Sequence, residues 1–297
     1  MNIRRLLLCI ILIAGVSTQA VFAQLQSPEE FLGYELGDRY TPHHKVVDYV
    51  MHVADESDRV LIETYGETYQ NRELVYLVIT SPANQRNLEE IRTNNLKLTG
   101  LMEGEATDLR KAIVWLSYNI HGNETSSSEA ALSTLYRLAD PDNVEEAGWL
   151  ENSVVVMDPM VNPDGRERYV NWFRGITGSE YNPDVASREH DEPWPGGRSN
   201  HYYFDLNRDW AWQTQQESQL RATIYKQWMP HVHVDFHEQG YNSPYYFAPA
   251  AEPYHEAITD WQREFQTTIG ENHVSYFDEE GWLYFTKQRF DLFYPSY

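Results

Sequence analysis

Three short stretches of the chain carry residue types suited to metal and proton chemistry. In HGNE, His121 and Glu124 stand three residues apart, an imidazole and a carboxylate able to hold one metal ion from a single turn. That pair is incomplete, because a catalytic zinc site takes three protein ligands and leaves a further position open, so another ligand must come from elsewhere. In HVHVDFHEQG, period-two alternation places His231, His233, Asp235 and His237 on one face of a strand and Val232, Val234 and Phe236 on the other. Histidines in such a row are commonly structural, hydrogen-bonded residues. His237 differs, because EQG ends the strand behind it and puts its side chain at an edge where a cleft can open. FDLNRDW offers a carboxylate, an amide and a guanidinium in Asp205, Asn207 and Arg208. The planar fork of arginine binds a carboxylate at two points and the amide adds a donor, which suits an anionic substrate end; an ion pair on a solvated loop is the alternative.

These residues need a frame. Apolar positions at helical spacing (Val46, Val47, Val50, Met51, Ala54) predict a helix over 42–57, and RVLIETYGETYQNRELVYLVIT predicts two strands around a polar turn. KAIVWLSYNI and SVVVMDP are near-continuous apolar strands of the kind a sheet covered on both faces requires. HGNE follows the first of them directly. Ser126 and Glu129 fit a capping box opening a helix through Leu132, Leu135, Tyr136 and Ala139. NPDG, Asn162 to Gly165, reads as a tight turn after a buried strand, with glycine there for backbone conformation. Residues 165–204 read as a long polar Gly- and Pro-rich segment, a helix is expected near 213–228, and the alternation of elements predicts an α/β sheet with ligands beyond its strand ends.

Composition sets outer bounds. Residues 1–23 read as a secretory signal, with Arg4 and Arg5 before the apolar LLLCIILIAGV and VFA before Gln24; an uncleaved anchor helix is the other reading of the same run. Cleavage removes two arginines and the single cysteine, Cys9, and takes the formal charge from -22 to -24. The mature chain, residues 24–297, is then expected to be one secreted or periplasmic domain without disulfides, held by its core, by metal or by both, and off the membrane after cleavage. The acidic balance argues against a nucleic-acid surface, which needs a clustered positive field. The oligomeric state is left open.

In order and with comparable gaps, HGNE, NPDGRERY, GRSNHYYFDLNRDW and VDFHE resemble the zinc metallocarboxypeptidase family over roughly residues 40–297, and GRSN…DLNR is most similar to its carboxypeptidase E and N-like branch. The resemblance implies a mixed central sheet flanked by helices on both faces. It implies one zinc ion held by His121, Glu124 and His237, with Asp205 orienting a ligand histidine. Arg198, seven residues before Asp205, matches the arginine that steadies the oxyanion, with Arg166, Arg168 and Arg174 as competitors for that role. Asn207 and Arg208 match the pair that holds the terminal carboxylate of a peptide or protein substrate. The implied activity is removal of C-terminal residues. An exported zinc-containing peptide binder without catalysis and a zinc amidase acting on cell-wall peptides are the alternatives. The family's general-base glutamate is expected beyond Tyr297, so that the sequence reads as the N-terminal part of a catalytic domain. Asp278, Glu279 and Glu280 come too early for it and read as a solvated turn. The substrate-capping tyrosine would fall near Tyr294.

Overall fold

A computed structural model describes residues 25–288; the signal-like segment 1–23 and Tyr294 lie outside the described residues. The predicted helix is α1, His43–Glu56, and the two strands around a polar turn are β1, Val60–Glu67, and β2, Glu73–Ile79. There follow α2 (Leu88–Leu98), β3 (Ala112–Tyr118), α3 (Ser126–Ala139), β4 (Ser153–Asp158), α4 (Pro163–Ile176), α5 (Gln216–Trp228), β5 (Val232–Phe236) and α6 (Asp260–Glu280). The main sheet has the order β1-β2-β4-β3-β5. β2 is antiparallel to β1 and β4, while β3 is parallel to β4 and β5. A separate pair joins Tyr245–Tyr246 to Tyr284–Phe285.

The alternation along the strands decides what lies on each side of this sheet. Val75, Leu77 and Ile79 of β2, with Val155 and Met157 of β4, pack on α1 (Val46, Val50, Val53) and α3 (Leu132, Leu135). Tyr76 and Val78, with Ile113 and Trp115 of β3 and Val154 and Val156 of β4, pack on Ile91 of α2 and Trp228 of α5. Each strand position between them is therefore apolar, as a doubly covered sheet demands. The result is a three-layer α/β architecture with a mixed sheet, as expected. Among the described residues, no helix is long and apolar enough to cross a membrane.

Three local expectations are corrected. NPDG opens a helix rather than making a tight turn: Asn162 Oδ1 accepts from Gly165 N at 3.0 Å, Pro163 occupies the first turn, and Val170 and Phe173 bury one face, so the polar segment is helical as far as Ile176. Between there and Phe204 the only regular element is the short 3-10 turn Arg188–His190. The capping box at α3 does not form, since Thr125 is the N-cap and makes no side-chain capping bond. Glu129 is buried instead, and a buried carboxylate requires a cation: Arg166 meets it at 2.7 Å, and Thr41 N and Oγ1 donate to it at 2.7 Å each. Asp278, Glu279 and Glu280 are exposed, but they form the last turn of α6, which Gly281 ends at φ 70°.

Candidate metal centre

β5 lies parallel beside β3, with Phe236 paired to Tyr118, and this register decides what meets beyond the strand ends. Chain past β3 enters HGNE and chain past β5 enters His237, so residues 116 positions apart in the sequence become neighbours, with ring centroids 4.9 Å apart. The HGNE turn is fixed from below by Asn119, at φ 59°, a left-handed conformation that asparagine tolerates. Its Nδ2 donates to His121 O at 3.0 Å and Glu124 O at 2.8 Å, and its backbone N–H donates to Ser127 Oγ at 2.8 Å.

Glycines set the approach of the remaining loops. A Cβ on Gly122 would strike the backbone of Arg166 and Gly165, and one on Gly165 would strike the carbonyls of Gly197 and Ser199. HGNE, the first turn of α4 and the loop bearing Arg198 thus meet backbone to backbone. Arg168 ties that loop down by donating to Gly196 O, Ser199 O and Asn200 O at 2.8, 3.2 and 2.9 Å. Glu192 accepts from Asn123 Nδ2 at 2.8 Å and from Gly197 N, linking the same loop to the HGNE turn. Leu206, fully buried against Ile120 and Val161, anchors DLNR.

The functional atoms converge on one point. Among the described residues, His121, Glu124 and His237 form a group whose ligand atoms all lie within 4.8 Å of one another. Glu124 Oε1 is 2.8 Å from His121 Nδ1, and Oε2 is 3.0 Å from His237 Nδ1. The opposite ring nitrogens face other carboxylates, His121 Nε2 meeting Asp205 Oδ1 at 3.2 Å and His237 Nε2 meeting Asp235 Oδ2 at 2.9 Å. Burial opposes charge on both rings, but these hydrogen bonds outweigh it, raising His121 and lifting His237 to about 10. Burial likewise opposes ionisation of Glu124, and its bonds to the two histidines overcome this and hold it down at about 2. The centre is built to hold positive charge against a carboxylate.

Arg198 lies at the rim, with Nε 3.0 Å from Asp205 Oδ2 and Nη1 3.3 Å from His121 Nδ1. Asn207 Nδ2 is 3.3 Å from His237 Nε2, and Arg208 Nη1 donates to Asn207 O at 2.8 Å. The competing arginines stand elsewhere. Arg166 is buried with its guanidinium committed to Thr41 O, Thr125 O and Glu129, Arg168 serves the loop backbone, and Arg174 is exposed at the end of α4. In sequence, Asp235 reads as one more residue in a row of polar side chains. The i, i+2 spacing on a strand places it on the His237 side, which was the available signal; that the two touch depends on the ring turning toward it.

The donor set fits zinc. Two imidazole nitrogens and a carboxylate oxygen are ordinary zinc ligands, and bonds of about 2.0–2.2 Å in a tetrahedron would put ligand atoms about 3.4 Å apart, close to the 2.8 and 3.0 Å separations already present. Both histidines offer Nδ1 with Nε2 on a carboxylate, the arrangement that fixes ring orientation and tautomer in zinc sites.

The fold is similar to that of solved carboxypeptidases. Carboxypeptidase A from Helicoverpa armigera matches at 15% identity and TM-score 0.54 over 95% of this chain and 64% of its own. A metallo-carboxypeptidase from Burkholderia cenocepacia matches at 15% and 0.55 over 82% and 52%. Thrombin activatable fibrinolysis inhibitor matches at 13% and 0.54 over 94% and 65%. The chain thus spans less than two thirds of the length of each. No match was found among curated proteins. The zinc carboxypeptidase family model matches residues 46–279, and with the His121–Glu124–His237 cluster inside that span the chain belongs to the zinc carboxypeptidase family.

Proposed function

We propose that this chain carries the metal centre and substrate clamp of a metallocarboxypeptidase that removes C-terminal residues from peptides. The observation that supports this most directly is the adjacency of two systems. One is a His121, Glu124, His237 donor set suited to one zinc ion; the other is a row of cationic and amide groups, Arg198, Asn207 and Arg208, beside it. Zinc, when bound, supplies Lewis acidity and brings the pKa of water toward neutrality.

The residues of the chain divide the remaining work. Arg198 is assigned to the carbonyl oxygen of the scissile bond, where negative charge develops, because its fork is anchored by Asp205 on one side and its Nη1 reaches the edge of the metal cluster on the other. Asn207 and Arg208 are assigned to the substrate's terminal carboxylate, which selects peptides with a free C-terminus. Asp205 and Asp235 hold the two ligand rings. Glu192 and Glu238 are engaged with Asn123 and with Ser126 N. None of these four is assigned the role of accepting the proton from water. Export rests on residues 1–23 and belongs to the same proposal.

The test pairs metal analysis with peptide binding. About one zinc per chain and tighter binding of free than of C-terminally amidated peptides are expected. Equal binding of the two would remove the clamp role from Asn207 and Arg208, and absence of zinc would remove the reading itself.

A further inference from the structure

The segment that carries Arg198 also presents two aromatic rings to solvent. Trp194 is 84% exposed and Tyr203 is 55% exposed, with ring centroids 5.5 Å apart. A single exposed ring needs no explanation, but this pair is held in place. Asn200, wholly buried, accepts on Oδ1 from the amides of Tyr202 and Phe204 at 3.1 and 3.0 Å and donates its own amide to Phe204 O at 3.0 Å. Its Nδ2 is fixed on Gln215 Oε1 at 3.0 Å. The tight loop closed in this way sets Tyr203 at φ 66°, a left-handed conformation that is costly for a bulky side chain and that glycine adopts freely. A tyrosine stands there instead, with the Arg168 guanidinium 5.2 Å from its ring centroid.

Both rings are tethered to the metal centre at short range. Glu192 and Gly197 bracket Trp194, and each meets the HGNE turn. Glu192 accepts from Asn123 Nδ2, and a Cβ on Gly197 would come 3.2 Å from Asn123 N. Tyr203 precedes by two residues Asp205, which touches His121 and Arg198. At about 3.3–3.6 Å of chain per residue, neither Cα can stand more than about 7 Å from that of Glu192 or Asp205 respectively. A carboxypeptidase substrate has one residue beyond the scissile bond, and Asn207 and Arg208 are assigned to its carboxylate. Rings outside that clamp can therefore meet only the part of the peptide N-terminal to the bond.

The chemistry of the pair selects what binds there. The donors around it are spent within the loop: Gly196 N on Pro193 O, Gly197 N on Glu192, the amides of Tyr202, Tyr203 and Phe204 on Asn200, and Arg168 on three carbonyls. A sugar needs polar partners for its hydroxyls, whereas open ring faces suit an apolar or aromatic side chain. We propose that Trp194 and Tyr203 form a shelf that binds an aromatic side chain among the two or three substrate residues preceding the scissile bond. This rests on the carboxypeptidase reading above and adds a preference that a clamp for the free C-terminus does not supply.

The experiment measures Kd, or KM where the peptide is cleaved, for short peptides sharing one C-terminal residue, with Phe at each of the three preceding positions in turn or Ala at all of them. Wild type is expected to favour one Phe peptide by about 3- to 10-fold over the Ala peptide. Failure to bind any of them would take down the carboxypeptidase reading and the shelf with it; binding without a Phe preference would overturn the shelf alone. Trp194→Ala and Tyr203→Gly are each expected to lose most of the preference while leaving the Ala peptide within about twofold. Trp149→Ala is the control and should lose none, since Trp149, 52% exposed, lies just before β4 at the opposite end of the sheet from the centre. Preference retained in both shelf variants would overturn the proposal. Thermal denaturation guards against a structural role: Trp194→Ala should leave Tm unchanged, and Tyr203→Gly should keep or raise it by relieving the left-handed φ. A clear fall in Tm for Trp194→Ala would mean that the chain itself covers the ring, and would overturn the proposal. So would self-association, or binding of N-acetylglucosamine oligomers in preference to peptides, that Trp194→Ala abolishes, since the occupant would then be a second copy or a glycan.

Discussion

Arg198 sets both Nε and Nη2 on a single oxygen of Asp205, at 3.0 and 2.9 Å, while the other oxygen of that carboxylate faces His121 Nε2 at 3.2 Å. One carboxylate therefore contacts both a histidine of the candidate metal cluster and the cation beside it. For Arg198→Ala the expected outcome is a fall in kcat of about 10²- to 10³-fold with little change in KM, because a partner of developing negative charge acts mainly in the transition state. Arg198→Lys should recover little, since a single ammonium cannot reproduce the fork. Steady-state kinetics on the active protein check this, and an effect confined to KM would place Arg198 in ground-state binding.

His237→Ala should abolish stoichiometric zinc, because it leaves two ligands where a catalytic zinc site uses three. His233→Ala should keep it, since the nearest rings to His233 are Trp210 and Tyr225, at 5.3 and 5.4 Å. Elemental analysis after dialysis distinguishes them. Retention in His237→Ala with loss in His233→Ala would move the site along the strand.

Two glycines should respond with opposite sign. Gly122→Ala forces a methyl into the backbone of Arg166 and Gly165, where nothing can rotate away, and is expected to destabilise by more than about 3 kcal/mol. Gly148 lies inside the helix Val144–Leu150 with open space around it, so Gly148→Ala should stabilise by about 0.5–1 kcal/mol through helix propensity. Urea denaturation of the two variants measures both.

Asp209 supplies a pH-dependent term in stability. Burial pushes its carboxyl up, but the Thr214 hydroxyl at 2.7 Å and the amides of Thr214 and Gln215 at 2.9 and 2.8 Å outweigh burial and hold it below the ordinary carboxylate range. A folded-state pKa below the unfolded value of about 3.9 contributes stability that is present above that pH and lost as pH falls through the folded value. Asp209→Asn should cost about 1–3 kcal/mol at pH 7 and less at pH 3. Denaturation at the two pH values checks it; an equal loss at both would remove the ionic part of the argument.

What the sequence determined by itself was whatever neighbouring residues can encode. Continuous apolar runs marked β3 and β4 as strands covered on both faces, the spacing of Val46, Val50 and Val53 marked α1, and HGNE, DLNR and HEQG named the donors. Those are statements about short windows, and burial enforces them locally. The tertiary structure alone decided which distant groups share an atom. Glu129 has the right spacing for a capping box, yet it serves Arg166, because both are buried where α3 and α4 meet and an unpaired buried charge costs more than an unmade cap. Gly165 reads as a turn residue in its own window, and the reason for it is a carbonyl from residue 197. His237 meets Glu124 because β5 pairs with β3 in a register that brings the two strand ends together. Local pattern fixes an element and its buried face; partner identity is set by the sheet order, which no short window contains.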